Sequence, residues 1–212
     1  MIDSEDMRVT RAAYDEVAEL YATLFHRQLH ANPFDRVLLE GFAEAVRENG
    51  NGPVADIGCG PGRVTGYLAA AGLEMSGVDL SPEMIRLARA ECPGIPFEVG
   101  PMERLRYDDA ALAGLVSWYS IIHIPPQRVP EVLTEFARVV RPGGHAVFGF
   151  QAADQPTGVY DYAHKVAPAY RWAPDTFAEA LSAKGFRVTA TLFREARPDE
   201  YTPHAAMLAV RV

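Results

Sequence analysis

Two acidic residues, Asp56 and Asp79, and three glycines, Gly58, Gly60 and Gly62, have the types and spacing in this chain that chemistry can use. In Val54-Ala55-Asp56-Ile57-Gly58-Cys59-Gly60-Pro61-Gly62-Arg63 an apolar run passes into glycines at alternate positions, the pattern of a buried strand whose turn opens a helix. Glycine there accepts positive φ and leaves space where a Cβ would stand, so a ligand atom can approach the backbone at Gly58, Cys59, Gly60 and Gly62. The first amides of the helix from Arg63 point into the same crevice. Asp79 ends the next apolar run, about twenty residues after the turn, where one carboxylate can accept both hydroxyls of a ribose. Asp56 stands just ahead of the turn, where it repels a diphosphate and suits a cation. The glycine order is not the G-x-G-x-x-G of dinucleotide sites, which together with Asp56 argues against a nicotinamide oxidoreductase.

Other residues carry two readings each. His123 follows Ser120-Ile121-Ile122, and a neutral imidazole could remove a proton from a hydroxyl; the alternative is a packing or turn residue. Arg63 could reach a ligand carboxylate or face solvent. Tyr14 and Tyr21 recur at helical spacing with Val17, Ala18, Leu24 and Phe25, which fits a core stripe as well as a ligand wall. His26 and His30 have the i, i+4 spacing of a metal pair, but no third His or nearby Cys completes a set, and no metal site is expected.

The elements that must position these groups read as alternating strands and helices. Helices are expected over about 10–32 and 34–49, the first broken by Pro33 and the second closed by Gly50-Asn51-Gly52-Pro53. From Val54 to Gln151 the alternation predicts a parallel sheet with helices on both faces. Residues 152–174 interrupt it with Tyr160, Tyr162, His164, Tyr170 and Trp172 crowded together. A loop of this length leaving the carboxyl end of a strand reads as a lid, whose aromatics either line a pocket or hold the lid together. A helix over Asp175 to Lys184 and strands over Phe186–Phe193 and Ala205–Val212 complete the chain.

The motifs resemble, from about Tyr14 to the C-terminus, the class I S-adenosylmethionine-dependent methyltransferases of the small-molecule, ubiquinone-biosynthesis-like type. Asp56 to Gly62 and Asp79 resemble the first two motifs, Ser81-Pro82-Glu83-Met84 the segment after the second strand, Leu115 to Ser120 the fourth strand, and Arg138 to Gly144 the turn before the fifth strand, His145 to Phe150. The resemblance implies an α/β fold, Rossmann-like, with a seven-stranded, mostly parallel sheet whose last strand is antiparallel. It also implies S-adenosyl-L-methionine as cofactor, S-adenosyl-L-homocysteine as product, and a site drawn from Tyr14, Tyr21, Arg63, Leu80, Met84, Ser117, Trp118 and Tyr119 as well as the motif residues. One departure stands out. Where the family places an Asp on the adenine amino group, this chain has Pro101-Met102-Glu103, so Met102 would pack on the base and Glu103 would accept its amino hydrogen. The methyl acceptor is expected to be a small molecule, with an oxygen nucleophile favoured by His123. A catalytically inert cofactor-binding module is the alternative.

Composition bounds the rest. The 212 residues suit one domain: cap helices over 1–50, a cofactor-binding core over 54–151, the lid over 152–174, and a helix with edge strands over 175–212. A net charge of −8, from 20 Lys and Arg against 28 Asp and Glu, disfavours nucleic acid; the basic pairs Arg86/Arg89 and Arg104/Arg106 read as solvated. No apolar run is long enough to cross a membrane, the acidic start does not resemble an export signal, and Cys59 and Cys92 are expected to stay reduced, all of which points to the cytoplasm.

Overall fold

The computed structural model describes residues 4–25, 32–198 and 200–212. In chain order the elements are α1 (Glu5–Phe25), α2 (Pro33–Glu48), β1 (Pro53–Ile57), α3 (Arg63–Ala70), β2 (Glu74–Asp79), α4 (Pro82–Glu91), β3 (Phe97–Val99), β4 (Leu112–Trp118), a 3-10 turn (Ile121–His123), α5 (Val129–Val139), β5 (Val140–Gln151), β6 (Val159–Tyr162), β7 (Ala169–Trp172), α6 (Pro174–Ser182), β8 (Phe186–Arg194) and β9 (His204–Arg211). Seven strands form one sheet in the order β3-β2-β1-β4-β5-β9-β8. The first five are parallel, and β9 runs antiparallel between β5 and β8, as the sequence predicts for the last strand.

The strand order sets the position of the site. The chain moves outward from β1 to β3 and then returns to lay β4 on the other side of β1. Helices therefore leave β1 and β4 toward opposite faces, which opens a crevice beyond the carboxyl ends of these two strands. All seven residues of β4 are buried, as expected for a central parallel strand covered on both faces. Alternation divides them between two cores: Val54, Val116 and Val147 meet Phe42, Val46 and Leu68 of α2 and α3, while Ala55, Leu115 and Phe148 meet Phe136 and Phe177 of α5 and α6.

Two segments cover the crevice. The first is α1, which begins at Glu5, five residues earlier than the sequence pattern suggests. It docks on α4 through Asp15, whose carboxylate accepts from the Ser81 hydroxyl (2.5 Å) and the Glu83 amide (3.3 Å). Ser81 in turn caps α4 by accepting from the Met84 amide (3.1 Å), with Pro82 in the first turn, as its sequence predicts. The second is the 152–174 segment. It contains an antiparallel hairpin, β6 on β7, where the sequence pattern predicts a loop. Val159-Tyr160-Asp161-Tyr162 and Ala169-Tyr170-Arg171-Trp172 are rich in residues that suit a half-buried strand, and aromatic crowding alone obscures that period-two pattern. The hairpin meets the chain just beyond the carboxyl end of β5 through the bridge of Ala152 to Trp172 and the Ala153 amide on the Trp172 carbonyl (3.0 Å). His26 and His30 lie outside the described residues. Among the described residues no cluster of metal-ligating side chains occurs and no helix is long and apolar enough to cross a membrane.

Candidate active site

The carboxyl ends of β1, β2 and β4, the turns after them and the inner face of α1 enclose about 990 Å³ of space, including its open mouth. Of the residues singled out in the sequence, Tyr14, Tyr21, Asp56, Gly58, Cys59, Gly60, Arg63, Asp79, Leu80, Met84, Met102, Glu103, Trp118, Tyr119 and His123 all border it. Gly62 and Ser117 do not. The sequence pattern places both against a ligand, and packing overrides it. At Gly62, φ is +84°, and a Cβ would lie 3.3 Å from Ala88 and Phe97, so this glycine seats α3 against α4 and β3. Ser117 is fully buried, with its hydroxyl 2.9 Å from that of Ser120, which donates to the Ile57 carbonyl (2.7 Å).

The same test separates the other two glycines. A Cβ on Gly58 would fall 2.2 Å from the Ser120 Cβ, so Gly58 is required by the approach of the β4 turn. Nothing lies within 4 Å of a Cβ built on Gly60, which faces the open crevice. Of the three, only Gly60 leaves its space to a ligand.

Asp56 and Asp79 stand side by side at the ends of β1 and β2. Asp79 accepts the Gly60 amide on one oxygen (2.8 Å) and the Ser81 amide on the other (2.9 Å), which fixes the carboxylate and leaves each oxygen a further lone pair. Asp56 is only 1% exposed; one oxygen accepts from the Thr65 hydroxyl (2.7 Å) and the other, Oδ1, has no partner. Burial pushes its pKa up to about 7, aided by the charge of Asp79 and opposed by the Thr65 hydroxyl bond and the charge of Arg63. Burial also raises Asp79, against the pull of the Ser81 and Gly60 amides. A buried carboxylate oxygen without a donor is costly and selects for a cation or a strong donor in the crevice.

Aromatic and imidazole groups wall the β4 end. Tyr119 has φ +54°, strained for a bulky side chain, and is held by its amide on the Gly149 carbonyl (2.8 Å) and its hydroxyl on His204 Nδ1 (2.7 Å). Trp118 lies over Gly149, where a Cβ would be 2.9 Å from its ring. His123 is buried, with Nδ1 2.8 Å from the Pro168 carbonyl and Nε2 2.7 Å from the Tyr14 hydroxyl. Burial brings its pKa down to about 4. One hydrogen-bonded chain thus ties α1, the turn after β4 and the hairpin together. Arg63 lies over the Tyr21 ring at 5.7 Å, so it belongs to the crevice and not to a purely solvated surface.

Sequence reasoning missed Arg128, which precedes α5. Its guanidinium donates to the Ser4 hydroxyl (2.7 Å), pairs with Asp6 (2.5 Å) and pairs with Glu103, pinning the start of α1 over the β3 end of the crevice. Glu103 thereby has one oxygen already engaged. Only the acidic first turn of α1 hinted at a basic partner, with nothing to say which. Thr10 and Arg11 of α1 also line the crevice, on a helix face whose spacing reads equally well as core.

A family model described as a methyltransferase domain matches residues 54–144. The demethylmenaquinone methyltransferase of Chlorobaculum tepidum is 30% identical over 149 residues, 69% of this chain and 61% of that protein. The malonyl-[acyl-carrier protein] O-methyltransferase of Erwinia billingiae is 29% identical over 154 residues, 71% of this chain and 59% of that protein. Over residues 54–144 this chain is similar to the methyltransferase domain. The chain spans about three fifths of the length of these curated relatives. The fold agrees with that of a Burkholderia thailandensis 1,6-didemethyltoxoflavin-N1-methyltransferase solved with 1,6-didemethyltoxoflavin and S-adenosylhomocysteine, at TM-score 0.76 and 21% identity over all of this chain and 92% of the other. The residues present fit S-adenosylmethionine: the unpartnered Asp56 oxygen suits its positive charge, Asp79 keeps lone pairs for a diol, and Gly60 leaves room.

Two outcomes test this geometry. Gly58→Ala should lower unfolding free energy by more than about 2 kcal/mol, through the Ser120 clash and an αL alanine, whereas Gly60→Ala should cost only about 1 kcal/mol in urea unfolding yet weaken donor binding in calorimetry. Arg128→Ala should speed amide exchange along α1 about tenfold, as a charged hydrogen bond worth about 1.5 kcal/mol is lost, while β1 and β4 exchange as before.

Proposed function

We propose that the chain transfers the methyl group of S-adenosylmethionine to a small-molecule acceptor, with an oxygen as the favoured nucleophile. The observation that carries this reading is the buried Asp56 carboxylate with its unpartnered oxygen beside the Gly60 opening. In the proposed pose Asp79 accepts the ribose hydroxyls. Met102 packs on the adenine, which the free oxygen of Glu103 reaches, with Leu80 and Met84 beside the nucleoside. Asp56 faces the cationic end, with the Gly58, Cys59 and Gly60 backbone beneath it. Arg63 and Tyr21 hold the carboxylate, and the rings of Tyr14, Trp118 and Tyr119 close over the sulfonium. From β3 to β4 the sheet makes three strand steps, about 14 Å, so a nucleoside anchored at β2 and β3 directs its sulfonium toward β1 and β4.

When bound, the donor supplies an electrophilic methyl whose C–S bond breaks with its electron pair left on sulfur as the bond to the acceptor atom forms. The protein's part is orientation and exclusion of water, which together account for most of the acceleration expected of such a site. The hairpin acts as the lid on the acceptor side, where its Pro168 carbonyl already holds His123. The relative named for demethylmenaquinone supports a small acceptor. Against nucleic acid stands the engagement of three of the four arginines in the basic pairs: Arg86 with Glu83 and Glu19, Arg89 with the Phe97 carbonyl, and Arg106 with Glu98. The unpaired thiols of Cys59 and Cys92 support a reducing, cytoplasmic setting. No observation favours the inert-module alternative.

Calorimetry tests the reading. S-adenosylmethionine and S-adenosylhomocysteine should bind and a nicotinamide dinucleotide should not; absence of heat with both sulfur ligands overturns it. Because the raised Asp56 pKa means that the ligand-free fold is supported by protonation below pH 4 and loses that support as pH rises through about 7, a cation that demands the carboxylate must displace a proton below that point. S-adenosylmethionine affinity should therefore rise about tenfold between pH 6 and 8, and Asp56→Asn should bind more weakly with a flat profile.

A further inference from the structure

The geometry points to Tyr14 as the group that takes the acceptor's proton, with His123 as the relay behind it. This rests on the methyl-transfer reading above, and deepens it by changing which residue meets the acceptor. The argument begins with hydrogen bookkeeping. A carbonyl oxygen can only accept, so the 2.8 Å contact between His123 Nδ1 and the Pro168 carbonyl puts the ring proton on Nδ1. Neutral imidazole then has one basic nitrogen, Nε2, and at 2.7 Å this nitrogen receives the Tyr14 hydroxyl. An acceptor molecule in the crevice therefore finds His123 already occupied. The phenol oxygen is different: its proton is turned toward the imidazole, and its lone pairs are left for another donor.

The surroundings hold this arrangement in place. Tyr14 packs edge-on against Tyr21 (5.8 Å between centroids) and against His123 (5.3 Å), and His123 packs edge-on against His164 of the hairpin (5.1 Å). His164 accepts the Val166 amide on its own Nδ1 (3.3 Å), so it cannot take the place of the Pro168 carbonyl. Burial raises the Tyr14 phenol well above its ordinary pKa, which keeps its proton in place until the imidazole takes it.

The step balances. As the acceptor oxygen gains the methyl group, its own proton moves to Tyr14 Oη and the Tyr14 proton moves to His123 Nε2. The positive charge lost from the donor reappears as an imidazolium whose Nδ1–H still donates to Pro168. A weak base suffices, because an oxygen acquiring a methyl group while still protonated becomes strongly acidic. Buried His123, with its pKa near 4, meets that requirement and stays neutral beforehand. The acceptor is thus one that presents its nucleophile as a neutral hydroxyl. Tyr14 is the catalytic residue here and His123 its positioning and relay residue.

Tyr14→Phe keeps the ring and removes only the oxygen. With phenol and para-nitrophenol as probe acceptors, at a mildly alkaline pH where only the latter is ionised, the variant should lose about 10²-fold in kcat on phenol. On para-nitrophenol it should lose about threefold or less. Equal losses on both, or none, overturn the proposal. His123→Phe should add nothing further in the Tyr14→Phe background, and additive losses count against a relay. An acceptor-independent readout is the nitrogen NMR spectrum of His123 in the S-adenosylhomocysteine complex. It should show an Nδ1–H tautomer whose Nε2 resonance alone moves in Tyr14→Phe, and an Nε2–H tautomer overturns the proposal whether or not either phenol is methylated. Failure of the wild-type chain to bind S-adenosylhomocysteine is a separate result that sinks the methyl-transfer reading itself.

Discussion

A carboxylate buried at the end of a central strand, with one oxygen bonded and the other bare, is the constraint on which the rest of the structure turns. Asp56 cannot be relieved from within the protein: Thr65 satisfies Oδ2, and the adjacent Asp79 adds charge of the same sign. Water or a cation must complete it. The strand order places this group at the point where helices diverge, the one position in such a sheet where a ligand can reach a central strand end without displacing packed side chains. The glycine turn, the Asp79 carboxylate and the cap helix are arranged around that opening.

The cap explains how so polar a crevice is kept from bulk water. Different chemistry holds it along its length, including Arg128 on Asp6 at its start, Tyr14 on His123 at its middle, and Asp15 on Ser81 toward the same side as α4. Each contact uses a group that also borders the crevice or caps an adjoining helix. Closure and ligand binding therefore share side chains, and a change in one alters the other.

Much of this was legible in the sequence, for identifiable reasons. The parallel core announces itself through apolar runs and glycine turns, because central strands are buried on both faces and tolerate little else. Asp56, Asp79 and Gly60 could be found because local spacing alone fixes their positions. Gly58 and Gly62 share that spacing but serve Ser120 and the α4 packing, and Ser117 lies in the bordering strand yet turns inward; only distances separate those cases. Arg128 and the Tyr14–His123 bond join residues more than a hundred positions apart, and no period or motif encodes such pairings. The hairpin reads as a loop in the sequence because its two strands are only four residues each and their aromatics obscure the alternation.

The hairpin is attached differently from the strand ends. The strand ends that form the donor half are integral to the sheet, so their sequence is answerable to folding. The β6–β7 segment adds no strand to that sheet: it is held by the Ala152–Trp172 bridge, by the Ala153 and His123 bonds to the Trp172 and Pro168 carbonyls, and by Ala169 and Trp172 buried in the core. Its less buried positions, unlike Ala169 and Trp172, can be exchanged in evolution or in the laboratory at little risk to the scaffold, so the repertoire of molecules admitted can diversify while the methyl supply stays fixed.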